Sequence, residues 1–510
     1  MKLQLAEIFG EHMVFQQHKE IPVWGRSAAD DEILIELGED RVCVNTENGF
    51  WKAVLPPREP GTGITMKVAS KVTGEVLQFT DIAVGEVWLA GGQSNMEFIM
   101  KYDVDAEEMK STEDDHDLRF FCFPQTPFLG YLEKEPIPEQ GFWRRWEGPS
   151  NKIMFSAVGA YMARILRKEL GIPVGIIGCN WGGTPASAWT SMEDLKNNEK
   201  LSPVLEEYEN NCRQIDWRKY IETSELPVPV PDENQKAFMD RFMMGEDMTE
   251  FFKNMENLPK PDISVWGTYP IAPRSATRPS GLYEMMLKRV APYALKGFLW
   301  YQGEDDDARN WADFYDESMK TMIQSWRRLW AEELPFFQVE LAPFRGVGIT
   351  GAKKYAEMRH RQHKVSEELA DVHDICILDA GEEFNIHPRH KRLVGERLGR
   401  SVMKHVYGEA KYIGDCPSFS SVRRGEDCIE LTFDHAEGLH IRGDLHQELF
   451  LNAGERPLEY EAEVTGEHLV LKGNFRNEPE IQIRYCEDNY CVAKLFNSEG
   501  DPVYGFTYNV

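Results

Sequence analysis

From Asp81 to about residue 410 the chain alternates apolar runs of strand length with stretches of helical spacing. Val84 to Ala90, Pro173 to Gly178, Gly297 to Tyr301 and Pro335 to Leu341 read as strands, and Phe155 to Leu166, Leu282 to Leu295 and Phe314 to Leu329 as helices. Such alternation predicts an α/β fold, a largely parallel sheet with helices on both faces. Residues 1–80 differ. Short runs such as Ile21 to Gly25 and Glu32 to Leu37, punctuated by Gly61, Gly63 and Gly74, predict a small N-terminal β-sandwich. Strand patterns return over 411–510, in Cys428 to Phe433 and Ile481 to Tyr485, and predict a C-terminal β-domain. Within the central region, 192–262 is acidic and helical in composition. Its Phe238, Met239, Phe242, Met243, Met244, Met248, Phe251 and Phe252 read as the core of an inserted helical subdomain or a lid, with a homo-oligomer contact as the alternative.

The strand ending at Ala90 runs directly into Gly91-Gly92-Gln93-Ser94-Asn95-Met96. A glycine turn there presents one hydroxyl at the carboxyl edge of the sheet, where ligands of α/β folds bind. Ser94 is thus a candidate nucleophile, and a serine needs a base within hydrogen-bond reach. Met96 stands where the second glycine of a Gly-x-Ser-x-Gly elbow would be, so this is a different motif. Among the 13 histidines, His387 in Asn385-Ile386-His387-Pro388 directly precedes a helical pattern from Lys391, and Pro388 suits a first helical turn. His390 reads as a surface residue. Acyl transfer also needs donors for a developing oxyanion. The Ser94 N–H, Gly182 in Trp181-Gly182-Gly183-Thr184, and the Gln302 side chain in Trp300-Tyr301-Gln302-Gly303-Glu304 are the candidates.

These four blocks, in this order, resemble the SGNH-hydrolase superfamily and, within it, the sialate O-acetylesterase family of carbohydrate esterases. Phe155 to Val158, Gly281 to Met286, Leu334 to Val339 and Leu495 to Gly500 extend the resemblance over most of the chain. It implies an SGNH-like sheet and a serine esterase that removes acetyl groups from a carbohydrate, either a sialic acid or an acetylated xylo-oligosaccharide. It further implies Ser94 and His387 as catalytic pair, Ser94, Gly182 and Gln302 as oxyanion donors, and Glu304 as a support of the Gln302 loop. The family's acid before the histidine is missing, because Phe384 and Asn385 fill those positions. Either Glu382 or Glu383 reaches the ring, or Asn385 or a backbone carbonyl orients it in a Ser–His dyad; the dyad is the favoured reading.

A net charge of −28 excludes the basic face that nucleic acid or an anionic membrane requires. The same charge offers no steering of an anionic sugar. Nine cysteines have no metal-ligand spacing, the nearest pair being Cys486 and Cys491, so no metal or cofactor is expected and a reduced cytoplasm is. Acidic residues come too early in Met1 to Glu7 for a signal peptide. Gly346 to Gly351 has the form Gly-x-Gly-x-x-Gly, but Pro343 to Arg345 separate it from its strand and Asp379 lies too far on for nucleotide binding. Asp305, Asp306 and Asp307 read as a solvated or site-rim loop rather than a cation site. The rival class is a non-catalytic carbohydrate-binding protein, which would need neither Ser94 nor His387.

Overall fold

A computed structural model describes residues 2–131, 139–226, 232–255, 262–266, 271–347 and 351–510. The chain forms two compact units: Met1–Gln235 with Lys260–Trp300 and Glu317–Phe336, and Lys236–Pro259 with Tyr301–Asp316 and Phe337–Val510.

In the first unit, Val174–Asn180 lies parallel to Val76–Gly92 on one side and to Asp115–Cys122 on the other. Gly297–Tyr301 neighbours Val76–Gly92, and Trp143–Trp146 closes the far edge antiparallel. Parallel neighbours need a crossover, and the helix Ala157–Leu170 supplies the one before Val174. Ser156 caps its start by accepting from the Gly159 N–H at 3.2 Å, and Gly171 ends it at φ 67°. Val174–Asn180 is buried at every position, the pattern of a strand covered on both faces.

The sheet is mixed rather than largely parallel. Val76–Gly92 is one strand of 17 residues whose first part pairs antiparallel with Gly61–Ser70. Gly61–Ser70 pairs in turn with Glu32–Leu37, so N-terminal strands extend the same sheet. Glu32–Leu37 buries Ile33, Ile35 and Leu37, and Phe50–Leu55, in a separate three-stranded sheet, buries Trp51, Ala53 and Leu55. The helix expected from Leu282 is present over 281–290, with a π-helical segment at Tyr283–Leu287 running into Lys288–Val290, and it ends there rather than at Leu295.

The described residues of 192–255 are mostly helical. Met192–Asn197, Ser202–Gln214 and Trp217–Glu225 belong to the first unit, with Ile215 and Tyr220 packed on Ala272. Of the apolar residues expected as core, Met248 is buried, but Met239, Met244 and Phe251 are exposed. The Phe252 side chain lies outside the described residues, as do positions 348–350 of the Gly-x-Gly-x-x-Gly motif.

The strand Phe336–Val339, in the second unit from Phe337 on, neighbours Val372–Ile375, and that unit also holds helices Tyr355–Glu368 and Lys391–His405. Two four-stranded antiparallel sheets follow. One runs Ser418–Arg424, Cys428–Asp434, His468–Lys472, Glu461–Thr465; the other Arg456–Pro457, Leu449–Ala453, Gln482–Tyr485, Phe506–Asn509. Arg397, 3% exposed, ties helix to β-region by donating to Asp379 at 2.6 and 2.7 Å and to Asp501 at 2.9 Å. A buried guanidinium requires such paired acceptors, and Asp379 is thereby a structural residue.

Candidate active site

Ser94 stands where the long strand stops. Gly92 has φ 128°, a conformation that a Cβ disfavours, and the chain turns through Gln93 into the short helix Ser94–Glu97. Ser94 is partly exposed between the buried Gln93 and Asn95. A Cβ on Gly182 would lie 3.2 Å from the Ser94 Cβ, so glycine is what allows the second block to pass the serine closely.

The Gly182 N–H donates to the Glu97 carboxylate at 2.7 Å. The main-chain donor expected to face an oxyanion is therefore engaged with a carboxylate. Glu97 also accepts from the Gln125 side chain at 3.0 Å, and Gln125 reaches the Asn180 carbonyl at 3.2 Å. Burial pushes the Glu97 carboxyl up on balance, against the hydrogen bonds from the Gly182 N–H and Gln125, which pull it down. Glu97 and Gln125 escaped the sequence reading. The signal for Glu97 is its place three residues after Ser94, on the same helical face; Gln125 carries none.

The second unit holds the amide and histidine blocks. Gln302 is 0% exposed and held from several sides. Its Nε2 donates to Asp306 at 2.6 Å, and Tyr315 OH donates to its Oε1 at 2.9 Å. Its carbonyl accepts from Gln362 Nε2 at 3.0 Å. A carboxylate only accepts, so Asp306 determines which end of the amide carries nitrogen. Glu304 is buried beside Tyr301 and Tyr355, where its charge adds to burial in raising both phenols.

Asp305, Asp306 and Asp307, expected in a solvated or site-rim loop, are buried, which rules out the solvated alternative. They begin the helix Glu304–Ala308, where negative charge suits the macrodipole. Asp305 pairs with Arg309 at 2.7 Å, and Asp307 accepts from the backbone N–H groups of Lys353 and Lys354 at 2.8 and 2.7 Å. These acids organise the Gln302 loop.

His387 is 6% exposed, and Phe242 meets its ring edge-on at 5.1 Å. Burial, then the Lys391 ammonium, push its imidazole down to about 3, so the resting ring is neutral and a proton acceptor. Lys391 is itself buried over the Tyr301 ring at 5.3 Å. The helix begins at Lys391 after His390, so Pro388 precedes the first turn instead of lying in it; His390 is exposed as expected. Asn385 braces the loop: its Oδ1 accepts from the His387 N–H at 3.0 Å and its Nδ2 donates to the His387 carbonyl at 2.9 Å. Glu382 accepts from Asn385 Nδ2 at 3.1 Å and from the Arg389 N–H at 2.7 Å. Glu383 pairs with Arg345 at 2.8 Å. Among the described residues, the groupings able to hold a metal are His373, His405, Asp415 and Glu448, Cys486, Cys491, neither of which includes a residue of these blocks.

The comparisons give the class of this chain's relatives, the esterases. Residues 264–404 match the family of carbohydrate esterases described as sialic acid-specific acetylesterase. The chain is 23% identical to the sialate O-acetylesterase of Rattus norvegicus over 480 residues, covering 84% of this chain and 79% of that protein. The human sialate O-acetylesterase is 23% identical over 470 residues, with 84% and 76% covered. A carbohydrate acetylesterase from Xanthomonas citri has a crystal structure that is 25% identical, with TM-score 0.75 and 99% of both chains covered. The resemblance to the sialate O-acetylesterases is thus shown, and these relatives are carboxylic ester hydrolases.

Proposed function

We propose that the protein is a serine esterase that removes O-acetyl groups from a carbohydrate, on an SGNH-like central fold. The observation that carries this reading is Ser94, partly exposed on a glycine turn at the carboxyl end of a buried strand, in a chain whose relatives are carbohydrate acetylesterases. In the proposed reaction the Ser94 hydroxyl attacks the ester carbonyl and His387 takes its proton. The imidazolium then returns the proton to the departing sugar oxygen, and water activated by His387 releases acetate from the acyl-enzyme. The Ser94 N–H and the second Nε2 hydrogen of Gln302 are the donors this reading assigns to the oxyanion. Gly182 contributes through Glu97, by holding its block against the serine. The substrate is a small acetylated sugar, with sialic acid and xylo-oligosaccharide as the two candidates, and the chemistry needs no cofactor.

The test is acetate release from 9-O-acetyl sialic acid and from acetylated xylo-oligosaccharides, by wild type and Ser94→Ala. The reading expects turnover of one class, lost in the variant. Sugar binding without acetate release by the wild type would establish the rival, a carbohydrate-binding protein.

A further inference from the structure

Away from the esterase blocks, in the second unit, two buried cysteines meet a carboxylate. Cys486 follows the strand Gln482–Tyr485 and takes φ 53°, a left-handed conformation uncommon for a residue with a Cβ. The turn it makes brings Cys491 back, so that the Cys491 thiol donates to the Cys486 carbonyl at 3.5 Å. Glu448 is half-buried beside them. Its Oε1 accepts from the Val492 N–H at 2.9 Å, and its Oε2 lies 3.9 Å from the Cys486 Sγ. The two sulfurs and a Glu448 oxygen all lie within 4.8 Å of one another.

We infer that Glu448, Cys486 and Cys491 form a structural site for a thiophilic divalent cation, of which zinc is the common one. A tetrahedral zinc with ordinary bond lengths places a thiolate sulfur and a carboxylate oxygen about 3.5 Å apart, so the observed 3.9 Å needs only a few tenths of an ångström of contraction. Charge also balances. Two thiolates and a carboxylate carry three negative charges, the cation offsets two, and the Arg359 guanidinium, 3.8 Å from the Cys491 Sγ, offsets the third. Arg359 is held there by the Asp488 carbonyl at 2.7 Å and the Cys486 carbonyl at 3.4 Å. Binding releases the two thiol protons to solvent and transfers no electron. The other candidate grouping is less apt. His373 and His405 stack at 3.9 Å and 20°, so their lone pairs run side by side, and His405 Nε2 already meets Asp415 at 2.8 Å.

The full-length protein, reduced and loaded with zinc, is dialysed into metal-free buffer and its metal content measured. A single equivalent should remain on wild type and on Cys43→Ser, a change at an exposed cysteine. It should be absent from Cys486→Ser and Cys491→Ser, and Glu448→Gln should weaken binding by roughly tenfold or more. Loading wild type with cobalt should give a thiolate-to-cobalt charge-transfer band with intense tetrahedral bands in the visible, a readout that stands even where a serine variant does not fold. Absence of retained zinc and of that band overturns the inference, as does equal retention by Cys486→Ser. A Cys486–Cys491 disulfide in the native protein, found by mass, overturns it too.

Discussion

Glu383 spends its carboxylate on Arg345, and Glu382 spends both oxygens on Asn385 and the Arg389 N–H. Neither arrangement uses the carboxylate to charge-balance His387, whose downward shift comes from burial and Lys391. Glu382→Gln and Glu383→Gln should therefore each lower kcat/KM less than about tenfold near pH 8, against the roughly 10⁴-fold loss of a triad aspartate. A thousand-fold loss in either would restore a Ser–His–Glu triad. The pH dependence follows from the same residue. With the folded imidazole at about 3 and the ordinary value at 6.5, the acid limb of kcat/KM should fall below pH 6.5. Between those values the unfolded chain binds a proton that the folded chain does not, so this group costs stability as pH falls through the window. Chemical denaturation across that range should show a shallower slope of stability on pH for His387→Gln than for wild type; equal slopes would contradict the buried neutral ring.

The Gln302 loop shows what one element adds to a motif. In sequence, Trp300-Tyr301-Gln302-Gly303-Glu304 reads as a strand end with a polar tail, followed by three acids that look solvated. In the fold those acids are buried at a helix start, and two of them answer groups far along the chain or in the next turn: Asp307 the Lys353 and Lys354 amides, Asp305 the Arg309 side chain. Local composition carries no trace of partners 46 residues away, which is why burial was illegible there. Gln302→Ala should lower kcat by roughly 10²–10³ with a smaller change in KM, if its amide acts on the transition state. It also strips Tyr315 and Asp306 of a buried partner, a loss of about 1–3 kcal/mol. Tyr315→Phe removes the hydroxyl's contacts to the Gln302 side chain and carbonyl but leaves the amide in place, and should cost kcat less. Steady-state kinetics beside thermal unfolding separates the two effects, and a change confined to KM would make Gln302 a substrate-binding residue instead.

At the scale of the molecule, periodicity made the central architecture legible: Gly297–Tyr301 has the bounds read from sequence, and Val174–Asn180 and Ala157–Leu170 differ from theirs by a few residues. The continuity of the large sheet was not legible. Val76–Gly92 changes from alternating exposure to complete burial partway along, and a change of pattern reads as a change of element. Ser94 and His387 stand out in the sequence as candidates because each lies in a recognisable block, whereas Glu97, which takes the Gly182 amide, does not. Ser94 belongs to the first unit and His387 to the second, so their partnership is best tested by chemistry. The direct measurement is labelling of the native protein with a fluorophosphonate, an electrophile that captures activated serines, followed by peptide mass analysis. The account predicts a single adduct on Ser94, blocked by Ser94→Ala, and formed several orders of magnitude more slowly in His387→Ala with folding intact. An adduct on another serine, or a His387→Ala variant that labels at more than about a tenth of the wild-type rate, would contradict it.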